Sequence, residues 1–205
     1  MVCDFFHPNV GGVENHIFML SLNLLQRGHK VRELPASVLV YTDDFQVIII
    51  THSYPPCRVG IRWLAPGLKV YHIPLPVLVS GATLPNYLTF LPWLRPILLR
   101  EHITLIHGHA SLSSLAHEAI LHSHLFGIRT VFTDHSLFAL DDATGILTNK
   151  LLAAALRNVG AIICVSHTGY ASNPIYNAIL TDIVVRTPFF EQRYPRRSCT
   201  LSRAL

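Results

Sequence analysis

The chain has 205 residues, half of them hydrophobic, with a formal net charge of +4 and a pI near 9. A chain of this length is typical of one domain and can bury a sizeable core. Its basic residues are scattered until a group near the end, without any nucleic-acid-binding motif, so we expect no nucleic-acid partner.

The four cysteines stand at positions 3, 57, 164 and 199, too far apart for a C-x-x-C pair or a zinc knuckle. The first strand is already under way at Val2, which leaves no room for a targeting segment ahead of it. We therefore expect reduced thiols that face the cytosol.

The first helix is predicted over residues 13–27, where apolar side chains recur at steps of three and four. These side chains are Val13, Ile17, Leu20, Leu24 and Leu25, and Gly28 ends the pattern. Gly11 and Gly12 open this helix after a strand end and a turn. Glycines there let a ligand approach the backbone, and the free amides of the first turn suit a phosphate. A plain strand-to-helix turn with glycines used for tight packing is the alternative.

Short β-branched runs alternate with helical patterns along the rest of the chain. The predicted strands are 47–51, 70–73, 104–107, 130–133 and 161–165, and the further helices are 86–100, 112–126 and 145–157. This alternation predicts an α/β fold, a doubly wound parallel sheet with helices on both faces. Ligands of such sheets bind at the carboxyl ends of the strands.

Polar residues follow the predicted strands at this edge. They are His7, His52, His107, His109, Asp134, His135, Ser166 and His167. His107 and His109 share one side of their extended segment, because alternate residues of a strand point the same way. The sequence therefore predicts a functional edge.

A metal site has weaker support. With Asp134 and His135 nearby, His107 and His109 could bind one ion, but thirteen histidines make chance pairs common. His117 and His122 miss the H-E-x-x-H spacing by one residue. We predict no metal and no cofactor.

The segment from Val70 to Leu94 carries no Asp, Glu, Lys or Arg and is long enough to cross a bilayer. Four prolines, at positions 74, 76, 85 and 92, interrupt it, so a loop leading into a helix is predicted instead of a membrane span. That helix carries Trp93, Leu94, Ile97 and Leu98 between Arg95 and Arg100. It suits either the membrane interface or the core of the α/β domain.

The opening of the chain resembles retaining glycosyltransferases of the GT-B type. The resemblance rests on Asp4-Phe5-Phe6-x-Pro8-x-x-Gly11-Gly12-Val13-Glu14-x-His16-Ile17 and on Arg27-Gly28-His29-Lys30-Val31. It continues through 47–54, 60–64, 67–71, 107–109, Thr133-Asp134-His135-Ser136-Leu137 and 162–166. Within that class it resembles the catalytic subunits of phosphatidylinositol N-acetylglucosaminyltransferase, which start GPI-anchor synthesis.

The resemblance implies transfer of N-acetylglucosamine (GlcNAc) from UDP-GlcNAc to phosphatidylinositol. It also implies other subunits of the transferase complex and a membrane surface as partners, at the cytosolic face of the endoplasmic reticulum membrane. His135 and Asp134 are the expected catalytic residues. A neutral imidazole both donates and accepts hydrogen bonds, which suits a sugar. The expected substrate-binding residues are Gly11, Gly12, Glu14, His52, His107, His109 and Ser166.

Two segments depart from this family. Residues 32–46 interrupt it as an insertion, which we expect to loop out or to shift the following strand. After Thr168 the resemblance fades, and residues 169–205 are expected to form a divergent, poorly ordered tail. Residues 1–168 are then the acceptor-side, N-terminal domain, and the donor-binding second domain is missing, so we expect no activity from this chain alone.

Two other functions compete with a transferase. One is a non-catalytic partner, or a dominant-negative fragment, that docks on the GPI-GlcNAc transferase complex. The other is a nucleotide-binding oxidoreductase, which lacks support because the third glycine of the fingerprint is absent and His52 stands where an acidic residue is needed.

Overall fold

The computed structural model describes residues 1–28, 31–32, 40–41, 45–56, 58–75, 77–79, 82–83, 89–135, 150, 152–157, 159–165 and 184–186. Its helices are α1 (Gly12–Gly28), α2 (Leu91–Arg100) and α3 (Ser114–Ser123), the last continued by a 3-10 turn at His124–Phe126. Residues 150 and 152–156 are also helical. The strands are β1 (Val31–Arg32), β2 (Val40–Tyr41), β3 (Val47–His52), β4 (Gly60–Ala65), β5 (Leu68–Ile73), β6 (Val77–Val79), β7 (Ala82–Thr83), β8 (Leu105–His109), β9 (Arg129–Asp134), β10 (Ala161–Cys164) and β11 (Val184–Arg186).

The main sheet has two blocks joined by Val2, and its strand pairs are parallel except for that of β4 with β5. One block runs β11-β10-β9-β8 and the other β3-β5-β4. Val2 forms parallel bridges to both Ile50 and Gly108. Its amide donates to the His107 carbonyl at 2.9 Å, and its carbonyl accepts from His109 at 3.1 Å. Where the sequence predicts a first strand, the structure has a single residue, Val2, that bridges the two blocks.

Helices cover both faces of this sheet, as the doubly wound prediction requires. Val47 and Ile49 of β3 pack with Ile17 and Leu25 of α1 in one core cluster. Ile48 and Ile50 belong to the opposite cluster, which contains Leu94, Ile97 and Leu98 of α2 and Leu115 and Ala119 of α3. Every residue of β3 is therefore buried.

Strand β4 is one of several strands that the alternation pattern did not predict. It pairs antiparallel with β5 at one edge of a sheet that is otherwise parallel. Ile61 and Trp63 of β4 stay exposed, since no further described strand covers this edge. Lys69 of β5 stacks over Trp63 at 4.7 Å and pairs with Glu101, at the end of α2, at 2.7 Å. These contacts fix α2 to the edge.

The predicted helix around 86–100 is a partly buried surface helix. Leu94, Ile97 and Leu98 are buried, whereas Trp93 is 47% exposed. Residues 84–88 lie outside the described part of the chain, and helix α2 begins at Leu91. No helix among the described residues has the length and apolarity that a membrane crossing requires.

The described parts of the two divergent segments form short strands. Val31–Arg32 and Val40–Tyr41 pair antiparallel in a sheet of their own, and the continuous strand β3 begins after them, at Val47. Within residues 169–205, Val184–Arg186 add a parallel edge strand to β10. The remainder of that predicted tail lies outside the described residues.

Candidate functional site

Three histidines from three different elements meet at the carboxyl edge of the sheet. His16 lies on α1, His109 ends β8, and His135 follows β9 directly. Each offers a ring nitrogen, and these atoms all lie within 4.8 Å of one another. We call these residues the histidine cluster.

The shortest contact within the cluster joins His109 Nδ1 to His135 Nε2, 3.3 Å apart. The rings of His16 and His135 meet edge to face, with centroids 4.7 Å apart. Because β8 and β9 are parallel neighbours with His109 opposite Thr133, the sheet register brings His109 beside the residues that end β9. His109 and His135, which the sequence predicts at this edge, are therefore in contact.

His107 supports this cluster from within the sheet. Its ring stacks on His109 with centroids 4.1 Å apart, which agrees with the predicted shared side of the strand. Its Nε2 lies 2.7 Å from Thr133 Oγ1. The stack and the hydrogen bond together hold the ring of His109 in place.

Burial keeps these imidazoles uncharged at neutral pH. It lowers the pKa of His135 to about 4 and that of His107 to about 3. It also lowers the pKa of His16 and, strongly, that of His109. Each ring therefore carries one N–H donor and one lone pair.

Asp134, predicted to be catalytic, is 3% exposed and accepts a hydrogen bond from Ser111 Oγ at 2.6 Å. Ser111 lies in the turn that leads from β8 into α3. The carboxylate therefore ties the end of β9 to this turn. The described geometry favours a role in positioning the adjacent His135, while its catalytic role stays a prediction.

Asp4 organises the neighbouring turn. Its buried Oδ2 accepts from Ser113 Oγ at 2.7 Å and from the Leu115 amide at 3.1 Å. Ser113 is the N-cap of α3, and its hydroxyl also accepts from the Ala116 amide. A carboxylate at this end complements the helix dipole. Asp4 thus links the chain start to the loop beneath the cluster.

The diglycine stands about one helical turn from the cluster, because Gly12 and His16 are four residues apart on α1. A Cβ on Gly11 would collide with the carboxylate of Glu14, whereas a Cβ on Gly12 would meet no described atom within 4 Å. This carboxylate is the far end of a flexible side chain that can move aside, so packing alone does not require glycine at position 11. The side of the helix start at Gly12 is open to a ligand.

Of two further predicted binding residues, His52 has no described contact with the cluster, and Ser166 cannot be placed. His52 is buried at the end of β3, with Nδ1 2.9 Å from its neighbour's carbonyl, that of Ser53, and its ring 4.1 Å from Tyr54. Its described contacts thus lie on the far side of Val2 from β8. Ser166 lies outside the described residues.

Sequence reasoning missed the role of His16, which stands within the opening motif and not at the end of a strand. The available signal was its spacing of four from Gly12, which places both on one face of α1. It also missed Ser111 and Ser113, the partners of Asp134 and Asp4. No spacing rule relates these serines to carboxylates more than twenty residues away.

Sequence comparison relates this chain to proteins of GPI-anchor biosynthesis. Residues 52–142 match the family model described as PIGA (GPI anchor biosynthesis). The chain is 45% identical over 188 residues to a subunit of the human phosphatidylinositol N-acetylglucosaminyltransferase, covering 92% of this chain and 35% of the relative. It is 46% identical over 180 residues to the gpi3 subunit of that transferase from Schizosaccharomyces pombe, covering 88% of this chain and 36% of the relative.

The chain thus spans about a third of the length of these curated relatives. A match of 188 residues extends past Thr168, further than the motifs indicate. Among solved structures, sucrose-phosphate synthase from Thermosynechococcus elongatus superposes with a TM-score of 0.60 at 15% identity, covering 87% of this chain and 43% of that one. This likeness confirms the glycosyltransferase-type α/β fold. The sequence matches show that residues 52–142 are similar to the PIGA (GPI anchor biosynthesis) family and that most of the chain is similar to about a third of the length of these transferase subunits.

Proposed function

We propose that this chain serves the transfer of GlcNAc from UDP-GlcNAc to phosphatidylinositol, the first step of GPI-anchor biosynthesis. Its relatives are named for this transferase. The observation that carries the proposal is the contact of His109 with His135 at the carboxyl edge, beside the open start of α1. Doubly wound sheets bind their ligands at this edge.

The chemistry of the edge suits a nucleotide sugar. His135 is neutral at pH 7, and with Nε2 facing His109 its Nδ1 remains for a hydrogen bond with a hydroxyl of the sugar. The amides at Gly12 and the positive end of α1 face the negative charge that develops on the departing phosphate. Glu14, folded over Gly11, is placed to accept from a hydroxyl. Asp134 ties the end of β9, next to His135, to the turn after β8.

A chimera tests this function. Residues 1–168 replace the corresponding segment of the Schizosaccharomyces pombe relative, and membranes that contain it are assayed for radiolabelled GlcNAc transferred from UDP-GlcNAc to phosphatidylinositol. We expect transfer by the chimera and none by the isolated 205-residue chain. A folded chimera without transfer, assembled with its partner subunits, would overturn the proposal.

The proposed partners are the other subunits of the transferase complex, since the relatives are themselves named as subunits. The 205-residue chain, tagged and expressed in cells, is expected to co-purify with those subunits. Recovery of the chain without any of them contradicts this part of the proposal. Co-purification of the chain, together with a folded chimera that shows no transfer, would favour a non-catalytic partner.

The proposed location is the cytosolic face of the endoplasmic reticulum membrane, with the edge formed by β4 and α2 against the lipid. A groove of about 560 Å³ opens there, lined mainly by apolar side chains that include Ile61, Trp93 and Pro96. Arg95 and Arg100 are exposed on α2, and Glu101, the one acid within 58–75 and 89–101, is paired with Lys69. Apolar side chains beside exposed cations suit an anionic lipid surface.

Tryptophan fluorescence tests this surface, because both tryptophans of the chain, Trp63 and Trp93, are exposed at this edge. Vesicles of phosphatidylinositol and phosphatidylcholine are expected to shift the emission to shorter wavelength. Trp93→Ser should weaken co-sedimentation with the vesicles, whereas Leu125→Ser, at an exposed site on the 3-10 turn, should not. The proposal is contradicted if both variants lose co-sedimentation equally, or if vesicles do not shift the emission of the parent chain.

A further inference from the structure

The histidine cluster has the composition and the spacing of a metal site. Its three imidazoles come from α1, β8 and the residue after β9, so the fold itself brings them together. A tetrahedral Zn²⁺ has Zn–N bonds of about 2.0–2.1 Å, which puts its nitrogen ligands about 3.3–3.4 Å apart. His109 Nδ1 and His135 Nε2 already stand 3.3 Å apart.

His16 completes the set with a small adjustment. Its ligand nitrogen lies within 4.8 Å of the other two, so an approach of at most about 1.5 Å meets the ligand spacing of Zn²⁺. The side chain is half-buried on the first turns of a surface helix, where a change of rotamer is feasible. His109 and His135 set the position of the ion, and His16 supplies the third ligand.

The protein's own contacts leave this cluster incompletely satisfied. His109 is 0% exposed, and its Nε2 has no hydrogen-bond partner among the described residues. A buried polar atom without a partner costs free energy. An ion bound to Nδ1, which faces His135, would leave Nε2 as the protonated nitrogen, so the case for a metal rests on the spacing of the three rings and on imidazole being the commonest metal ligand in proteins.

We propose that His16, His109 and His135 form a three-histidine site for a divalent transition-metal ion, of which Zn²⁺ fits best. Three protein ligands leave a fourth position for water or an anion, the arrangement of open zinc sites. Imidazole ligands without a carboxylate favour Zn²⁺, Cu²⁺ or Ni²⁺ over Mg²⁺ or Ca²⁺. The site differs from the combination considered from sequence, because His16 takes the place of Asp134 and His107.

The site also has a consequence that depends on the proposed function. His135 would bind either the ion or the sugar hydroxyls, so Zn²⁺ would inhibit GlcNAc transfer. Metal binding itself is measured without turnover. Failure of the transferase assay would therefore not argue against the metal site. Failure to bind metal would likewise not argue against the transferase function.

Zn²⁺ titration of the complete 205-residue chain against a chromophoric chelator tests the site. We expect one Zn²⁺ per chain, and tetrahedral visible bands when Co²⁺ replaces it. His16→Gln and His135→Gln should each weaken binding about 100-fold, at least as much as loss of an outer partner of a metal ligand. His124→Gln, at an exposed histidine on the 3-10 turn, is the matched control and should bind as the parent does.

Circular dichroism of each variant checks that it is folded. His16→Gln is the variant least expected to unfold the chain, because His16 is half-buried at the surface. Parent-like binding by the His16→Gln, His135→Gln double variant would overturn the proposal, since the ion would then be held by other histidines. A parent affinity weaker than about 100 µM would overturn it as well.

Discussion

His109 and His135 come from neighbouring strands and meet with Nδ1 and Nε2 3.3 Å apart. Parallel pairing of β8 with β9 sets His109 opposite Thr133, two residues before His135. The contact is therefore a product of sheet register and not of local sequence. A slip of one residue in that register would turn one of the rings away.

Gly12→Ala separates binding of the donor from folding. A Cβ at Gly12 meets no described atom within 4 Å, and alanine suits a helix better than glycine. We expect stability equal to or slightly above that of the parent. In the chimera, KM for UDP-GlcNAc should rise about tenfold, equivalent to ~1.4 kcal/mol. An unchanged KM would show that no phosphate approaches this turn.

Asp4 and Ser113 are expected to stabilise the fold as a pair. Asp4→Ala removes the buried acceptor of the Ser113 hydroxyl and the Leu115 amide, and should cost about 2–4 kcal/mol of unfolding free energy. Urea denaturation of Asp4→Ala, Ser113→Ala and the double variant measures their coupling, which we expect to be about 1–2 kcal/mol. Strictly additive losses would contradict the pairing.

Gly108→Ala should strain the contact between β8 and α3. The added Cβ would lie 2.9 Å from Ile120 Cδ1 and 3.3 Å from Ala116 Cβ. Overpacking of this kind costs about 1–3 kcal/mol. Ile120→Val removes the nearer atom, so the double variant should be more stable than the sum of the two single losses predicts. If the losses simply add, the clash is not the cause.

Stability should fall with acid, and His117 should account for part of the slope. Burial lowers the pKa of His117 to about 4, from 6.5 in the unfolded chain. Between these pH values the unfolded chain binds a proton that the folded chain does not, so acid favours unfolding and the full stability is present above pH 6.5.

His117→Leu should reduce this slope by up to about 1.4 kcal/mol per pH unit. Chemical denaturation from pH 4 to 7 measures it, with His124→Leu as the exposed control. An unchanged slope in His117→Leu would contradict the assignment. The histidine cluster keeps a slope in both variants, because the pKa values of its members are lowered as well.

The sequence predicts the sheet better than it predicts the site. Apolar periodicity predicted α1, and β-branched runs predicted β3, β9 and β10, with the run continuous in β3 because that strand is buried on both faces. The sequence did not predict strand β4, because exposed residues such as Arg62 and Trp63 interrupt the apolar run that marks a buried strand. The carboxyl-edge rule correctly grouped His107, His109 and His135.

Other features of the site depend on distances that a sequence does not encode. His16 reaches His135 because α1 packs on β3 and β5, which fixes the rotation of the helix. Asp134 was expected to face a substrate, and its partner Ser111 follows from how the turn after β8 folds back. Such tertiary contacts require the packed structure.

The chimera assay of His135→Ala tests the central claim most directly. We expect kcat/KM for GlcNAc transfer to fall about 100-fold, at the lower end of what a positioned side chain contributes, while His124→Ala keeps parent activity. Near-parent activity in a folded His135→Ala chimera would contradict the assignment of this edge as the place where the sugar is transferred.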